Sequence, residues 1–261
     1  MKVLVTFAVD AEFAPWRKRR SFRFIDYQGL RLWRSDAGEV EITALVTGMG
    51  TPAAVQAMDL MMKMADGDQY FDICVSSGLA GALAESLVPG DIISPQRIVA
   101  ERKQADVSPD YLEVDADLRS HALRLGAKET DCLYTTDQVL VKAKQKRDCS
   151  SKAQAVDMES FEIVKEACAW GARSVVVRAI SDSANEDLPV NFNLTVSEKH
   201  DVSIGKVLLQ LAKNPLALPA LMRFASQSQK AAEALAGYLE AFIPALAEAG
   251  AAKQPKQAAA R

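Results

Sequence analysis

The chain is short of the residues on which several common chemistries depend. It holds two histidines and four cysteines in 261 residues. Cys74, Cys132, Cys149 and Cys168 show no Cys-x-x-Cys spacing, and with His121 and His200 they make no zinc-type ligand set. Reduced, mostly buried thiols are the expected state, since free cysteine packs as a small hydrophobe. No apolar run approaches the roughly 18–20 residues of a membrane span. Positive charge is not in excess either: 31 Lys and Arg face 34 Asp and Glu, for a net charge of −3. That balance argues against general nucleic-acid binding, which needs a positive footprint. The opening MKVLVTFAVDAEF carries no clear signal-cleavage pattern and reads as the first strand of a cytoplasmic protein. No internal repeat is visible. What remains, 49% hydrophobic and 25% charged, is the composition of a soluble globular protein with a substantial core. Length alone allows one α/β domain or two small ones.

The most informative stretch is 155–185. AVDMES leads into Phe161, Ile163, Val164, Ala167 and Cys168 at helical spacing, with Glu162, Lys165 and Glu166 on the other face. Gly171 suits the end of that helix. Ser174 to Ile180 carries three valines in succession and reads as a strand buried on both faces. The unit predicts strand, helix, strand, with a right-handed crossover in a parallel sheet. Glu159 and Asp182 each follow a strand, where open α/β sheets place ligands, so both carboxylates are expected to face one pocket. Taken residue by residue, a local role is equally open: Glu159 suits a helix N-terminus and Asp182 a turn.

Elsewhere the pattern is α/β. Lys2 to Ala8 predicts the first strand and runs into Val9-Asp10-Ala11-Glu12, where an acid again suits either a site or a helix start. Trp16 to Arg34 is basic and reads as a solvated face around a helix and a hairpin, with a phosphate patch as the alternative. Val40 to Val46 predicts a strand ending in Gly48-Met49-Gly50, whose glycines allow close backbone approach to a ligand. A dinucleotide fingerprint would need a third glycine, which is absent. Ala53 to Ala65 predicts a methionine-rich helix for the core or a subunit interface. Phe71 to Val75 predicts a strand that empties into a small-residue loop, Ser76 to Ala82. Val141 to Ser150 is charged and is expected as a mobile loop, and Leu218 to Glu248 is alanine-rich and helical.

VDMESFEIV followed by VVVRAISDSAN resembles the signature of the purine nucleoside phosphorylase and nucleosidase superfamily. It is most similar to the methylthioadenosine/S-adenosylhomocysteine nucleosidase branch, which carries an E-M-E triplet and then V-R-A-I-S-D. The triplet here, Asp157-Met158-Glu159, departs at its first place. The resemblance implies an α/β, single-domain phosphorylase/nucleosidase-like fold with a mixed, twisted central sheet flanked by helices, over residues 1–214. A C-terminal helical extension at 215–249 and a disordered tail at 250–261 would come after it. It also implies a homodimer with Ala53 to Ala65 near the interface, a small nucleoside as partner, and neither a metal nor a cofactor.

By the same resemblance Glu12 activates the attacking water, Glu159 binds the ribose hydroxyls with Met158 against the sugar, and Asp182 protonates the leaving base. Gly78, Leu79 and Ala80 would border purine and ribose, with Leu79 standing where the nucleosidases often have serine. Val139, next to Leu140, stands where the family has a stacking phenylalanine, which makes Phe192 the aromatic candidate. Arg178 and Ser181 lie close to Asp182 in sequence, and Arg178 is expected as an orienting group. The implied activity is hydrolysis of an adenine-type, 5′-substituted nucleoside. Phosphate-dependent cleavage, with phosphate as co-substrate, is the alternative. Another is a purine-releasing enzyme of the hopanoid-associated type, acting on a large hydrophobic adenosyl conjugate. A third is a nucleoside-binding sensor without catalysis.

Overall fold

In the computed structural model, which describes residues 1–64, 71–100, 110–195 and 203–251, the first strand sets the layering. β1 (Lys2–Phe7) turns Val3, Val5 and Phe7 toward one apolar layer and Leu4 toward the other, as period-two alternation requires. After it come α1 (Asp10–Arg19), β2 (Arg23–Tyr27), β3 (Leu30–Ala37), β4 (Val40–Val46), α2 (Thr51–Met64), β5 (Ile73–Ala82), β6 (Ile92–Ala100) and β7 (Asp110–Glu113). The second half holds α3 (Ala116–Arg124), β8 (Lys128–Thr135), α4 (Ala143–Cys149), β9 (Ala155–Asp157), α5 (Ser160–Ala169), β10 (Arg173–Asp182), α6 (Ile204–Lys213) and α7 (Leu218–Ala251).

β2, β3 and β4 are antiparallel neighbours, while β4, β1, β5 and β10 run parallel. β5, β10, β6, β8 and β9 pair in a closed circuit, so this half of the mixed sheet curls on itself. One apolar layer is covered by α1, α3 and α7 and the other by α2 and α5. β10 is buried over almost its whole length, as its valine run predicts.

Several expectations change. The strand–helix–strand unit exists, but β9 is antiparallel to β5 and β10 is parallel to it, one on each side, so no parallel crossover forms. β9 is only three residues long and reaches β5 at Gly81 and Ala82 alone. The small-residue loop after Val75 is a continuation of β5, held in register by β10. Residues 143–149 form a helix where the charge density suggested a loop. Cys74 and Cys132 are buried, but Cys149 is only partly covered and Cys168 is exposed. The basic run is paired at its start: Arg17 with Asp10, Arg19 with Glu233 and Arg20 with Glu240.

α7 is built into the body of the molecule. Leu235, Leu239, Phe242, Ile243 and Leu246 repeat at helical spacing and are fully buried in the same layer as Phe13 and Trp16 of α1. Trp16 Nε1 donates to Glu240 at 2.6 Å, and Tyr238 Oη donates to the Ala122 carbonyl at 2.7 Å. The segment expected as an added extension is therefore helical, and its second half belongs to the main core. The expected tail lies, from residue 252, outside the described residues. Among the described residues, no helix is long and apolar enough to cross a membrane. Phe242→Ala is expected to cost about 3–5 kcal/mol, read from the urea midpoint, as for other buried Phe truncations. A shift below about 1 kcal/mol would mean that α7 is peripheral.

Candidate active site

Glu12 sits in the first turn of α1, immediately past β1, and is buried. Its Oε2 accepts from the Ala8 N–H at 2.8 Å and its Oε1 from the Leu79 N–H at 3.0 Å. The carboxylate is thus fastened to the end of β1 and to the interior of its parallel neighbour β5. Burial pushes its pKa up, while Arg178 and the backbone donors oppose the rise.

Glu159 stands just before α5, yet its side chain does not cap that helix. The Ser160 N–H is taken by Asp157 Oδ2 at 3.1 Å, which leaves Glu159 to accept from the Gly50 N–H at 2.7 Å. The local reading, a helix-start acid, therefore describes Asp157 better than Glu159. Gly50 has φ of 89°, a conformation that suits glycine, and Met158 packs over the space where its Cβ would be. Burial, with Asp157 and Glu12 nearby, raises the Glu159 pKa to about 8 against the pull of Arg178.

Asp182 ends β10. Its Oδ1 accepts from the Ser181 hydroxyl at 2.6 Å and its Oδ2 from Lys146 Nζ at 2.5 Å. Lys146 comes from α4 and is 1% exposed. Gly81 of β5 lies alongside, where a Cβ would come within 3.1 Å of Asp182 Oδ2. Asp182 is thus no ordinary turn residue.

Arg178 does not sit on Asp182. It is fully buried and bonds Asp157 Oδ2 at 2.7 Å, the Ser77 carbonyl at 2.9 Å and the Ser160 hydroxyl at 2.9 Å, with Glu159 Oε2 at 4.0 Å. Arg178 and Ile180 alternate with Ala179 along β10, and Asp182 follows a bulge that re-aims it. Gly78 has φ of 134°, and a Cβ there would collide with Arg178 and Glu12. Gly78 and Arg178 lie behind the site and do not line its cavity, whereas Leu79, Ala80 and Ser181 do.

Glu12, Met158, Glu159 and Asp182 line one cavity of about 580 Å³. Val139, Leu140 and Phe192 form another of its walls. Val139 and Asn193 bond each other twice: the Val139 N–H donates to Asn193 Oδ1 at 2.8 Å, and Asn193 Nδ2 donates to the Val139 carbonyl at 3.0 Å. Phe192 packs on Phe224 of α7 with centroids 5.3 Å apart. Beyond these, the cavity runs on between α1 and α7, lined by Ala11, Ala14, Pro15, Phe224, Ala225 and Ala232. Lys146 and Phe224 are site residues to which the sequence did not point, whereas Asp157 stood out only as the departing first place of the triplet and Gly81 only as part of the small-residue run GLAGA.

Residues 2–244 match the family model described as Phosphorylase superfamily. The chain belongs to that superfamily, and the match runs well past Asn214 into α7. In sequence it is similar to a 5′-methylthioadenosine/S-adenosylhomocysteine nucleosidase of Listeria monocytogenes, 26% identical over 188 residues, 63% of this chain and 78% of that one. In fold it is similar to the Helicobacter pylori enzyme of the same name with butyl-thio-DADMe-Immucillin-A. The TM-score is 0.71 at 19% identity, over 93% of this chain and 97% of that one. A futalosine hydrolase mutant of Helicobacter pylori gives a TM-score of 0.70 at 19% identity, over 93% and 98%.

The raised Glu159 pKa has a consequence for stability. A carboxyl whose pKa is higher folded than unfolded stabilises the fold most when protonated, and loses that contribution as pH climbs through the folded value. For Glu159 the window runs from 4.5 to about 8, and Glu12 shifts the same way. Glu159→Gln, which stays neutral, should gain on the wild type in urea midpoint across that window. Parallel profiles would contradict the burial argument.

Proposed function

We propose that the chain is a nucleosidase-type enzyme that hydrolyses the N-glycosidic bond of a 5′-substituted, adenine-type nucleoside and releases the purine. The observation that carries this reading is the convergence of Glu12, Glu159 and Asp182 on one cavity. Breaking a C1′–N9 bond leaves electron density on the base and positive charge on the sugar. A carboxyl group beside the base can supply a proton to N7, the role given to Asp182. Glu159, beside the sugar, binds the ribose diol through hydrogen bonds, and positive charge developing on the ring favours its carboxylate over the protonated form that burial favours. Glu12, whose pKa burial raises, takes the proton of the attacking water. Phe192, backed by Phe224, offers the aromatic face for the purine, with Val139 and Leu140 opposite a flat ring. The chemistry uses side chains and water alone.

Charge supports water over phosphate. Glu12, Asp157, Glu159, Asp182 and Glu233 line the cavity against Lys18 and Lys146, and Lys146 is engaged by Asp182. The lining holds more acids than cations, so it offers an entering phosphate no ready cradle. Arg17, Arg19 and Arg20, the candidates for a phosphate cradle, are held by acids of α1 and α7.

A second reading, a large hydrophobic 5′-substituent of the hopanoid-associated type, is favoured by the apolar continuation of the cavity between α1 and α7. Homodimer formation is assigned to the outer face of α2, where Val55 and Met62 are exposed; light scattering tests it, and a monomer would end it.

The test is adenine release from a panel of 5′-substituted adenosines with and without phosphate. Asp182→Asn, checked for folding by circular dichroism, should lower the chemical step by about 10²–10⁴-fold, the usual contribution of a general acid. Glu12→Gln should abolish most hydrolysis. Strict phosphate dependence with ribose-1-phosphate as product would replace hydrolysis by phosphorolysis, and near-normal turnover in Asp182→Asn would remove its assigned role. Ala225→Trp narrows the outer cavity and should raise KM for long apolar 5′-substituents about tenfold or more while sparing the methylthio compound. Equal effects on both would remove the second reading.

A further inference from the structure

Lys146 is a buried ammonium to which the proposed reaction assigns no part. Burying such a charge costs several kcal/mol unless its hydrogens are all matched. They are matched here: Nζ donates to Asp182 Oδ2 at 2.5 Å, to the Ser183 carbonyl at 2.7 Å and to the Glu186 carbonyl at 3.0 Å. A lysine has three donors and no acceptor, so none is left over. The short helix that carries it is tied to the same stretch of chain. Asp187 accepts from the Ala143 N–H at 2.8 Å and from Lys142 Nζ at 3.0 Å, and the Leu188 N–H donates to the Val141 carbonyl at 2.8 Å. α4 and the segment after Asp182 are therefore joined by several hydrogen bonds. Lys146 nonetheless reaches the cavity wall, beside the carboxyl group assigned to the base. A residue that served only to anchor the 183–188 segment would not need to meet Asp182.

We propose that Lys146 is the positioning residue for leaving-group protonation: it fixes the rotamer of Asp182 and supplies the proton that Asp182 hands to the base. This rests on the reading of Asp182 as the acid. In the step, a Lys146 Nζ–H bond breaks and an Asp182 O–H bond forms. That O–H then gives its proton to purine N7 as the C1′–N9 bond breaks, its electron pair going to the base, which leaves neutral. The amine keeps two N–H bonds for the Ser183 and Glu186 carbonyls and turns its lone pair to Asp182. The attacking water gives its hydroxide to C1′ and its proton to Glu12, so protons balance over the turnover. Exchange with solvent through the cavity returns Lys146 and Glu12 to their starting states.

The experiment compares two leaving groups on one sugar: a 5′-methylthioadenosine and the matching 4-nitrophenyl riboside, whose nitrophenolate departs without a proton. Lys146→Met should lower kcat for adenine release about 10²-fold, with KM within a few-fold, and change nitrophenolate release less than about threefold. A merely structural role would slow both substrates together, and that result overturns the proposal, as does unchanged or faster adenine release. Because Lys146→Met strands a buried carboxylate and can fail to fold, the double variant Lys146→Met/Asp182→Asn, which removes both charges, provides the second arm. If Lys146 acts through Asp182, the double variant releases adenine at the rate of Asp182→Asn alone, within a few-fold. A double variant slower than that by tenfold or more overturns the proposal. Wild-type protein that releases no base from any nucleoside ends the assigned reaction and this role with it. Wild-type turnover combined with either contrary variant result ends the role alone.

Discussion

One guanidinium under three carboxylates sets the terms for this molecule. Arg178 is completely buried, and Asp157, Glu159 and Glu12 all feel its charge. A single positive charge cannot neutralise three acids in a low-dielectric interior, so part of the cost stays with the glutamates as raised pKa values. Asp157 makes the direct contact, with Thr135 and the Ser160 N–H holding its remaining lone pairs. Glu12 and Glu159 are left at the cavity surface. The glycine at 78 belongs to the same set, since Arg178 and Glu12 occupy the volume that its side chain would need. Glycine, arginine, aspartate and glutamate here form one interlocking unit, and none can be exchanged without disturbing the other three.

The second buried cation divides the cavity. Arg178 governs the end bearing Glu12 and Glu159, and Lys146 governs the end bearing Asp182. In the proposed reaction the two ends are opposite in demand: one faces positive charge as it develops and the other delivers a proton. Separate counter-charges on separate elements, β10 and α4, let each be set without compromising the other. The bulge between Ile180 and Asp182 makes this possible, because it turns Asp182 out of the register that carries Arg178 inward.

Much of this was legible in the chain itself. The valine run of β10, the alternation of β1 and the Gly48-Met49-Gly50 turn follow from local rules, and the DMES and ISDS stretches carried the resemblance that named Glu159 and Asp182. What could not be read depends on contacts between distant segments. Lys146 lies in AKQKRDC, a stretch whose charges predict exposure, and only the fold brings it beneath Asp182. Arg178 was legible as an orienting group, but its partners Asp157, Ser77 and Ser160 come from other parts of the chain and only the fold brings them together. The direction of β9 escaped for a similar reason: three residues carry too little pattern to say which neighbour they will join. α7 reads as an appendage because its alanines dilute the apolar stripe, yet Leu235, Leu239 and Phe242 fill the space beside α1.

The closed circuit of β5, β10, β6, β8 and β9 has a colloidal consequence. A sheet of ten strands would ordinarily end in two long rows of unpaired amides, which invite another chain to add on and so to aggregate. Here, among the described residues, only β2 and β7 pair with a single neighbour. β2 has five residues and carries Arg23 and Asp26; β7 has four and ends on Glu113. Both rims are short and charged, which makes them poor templates for the cross-strand stacking of fibrils.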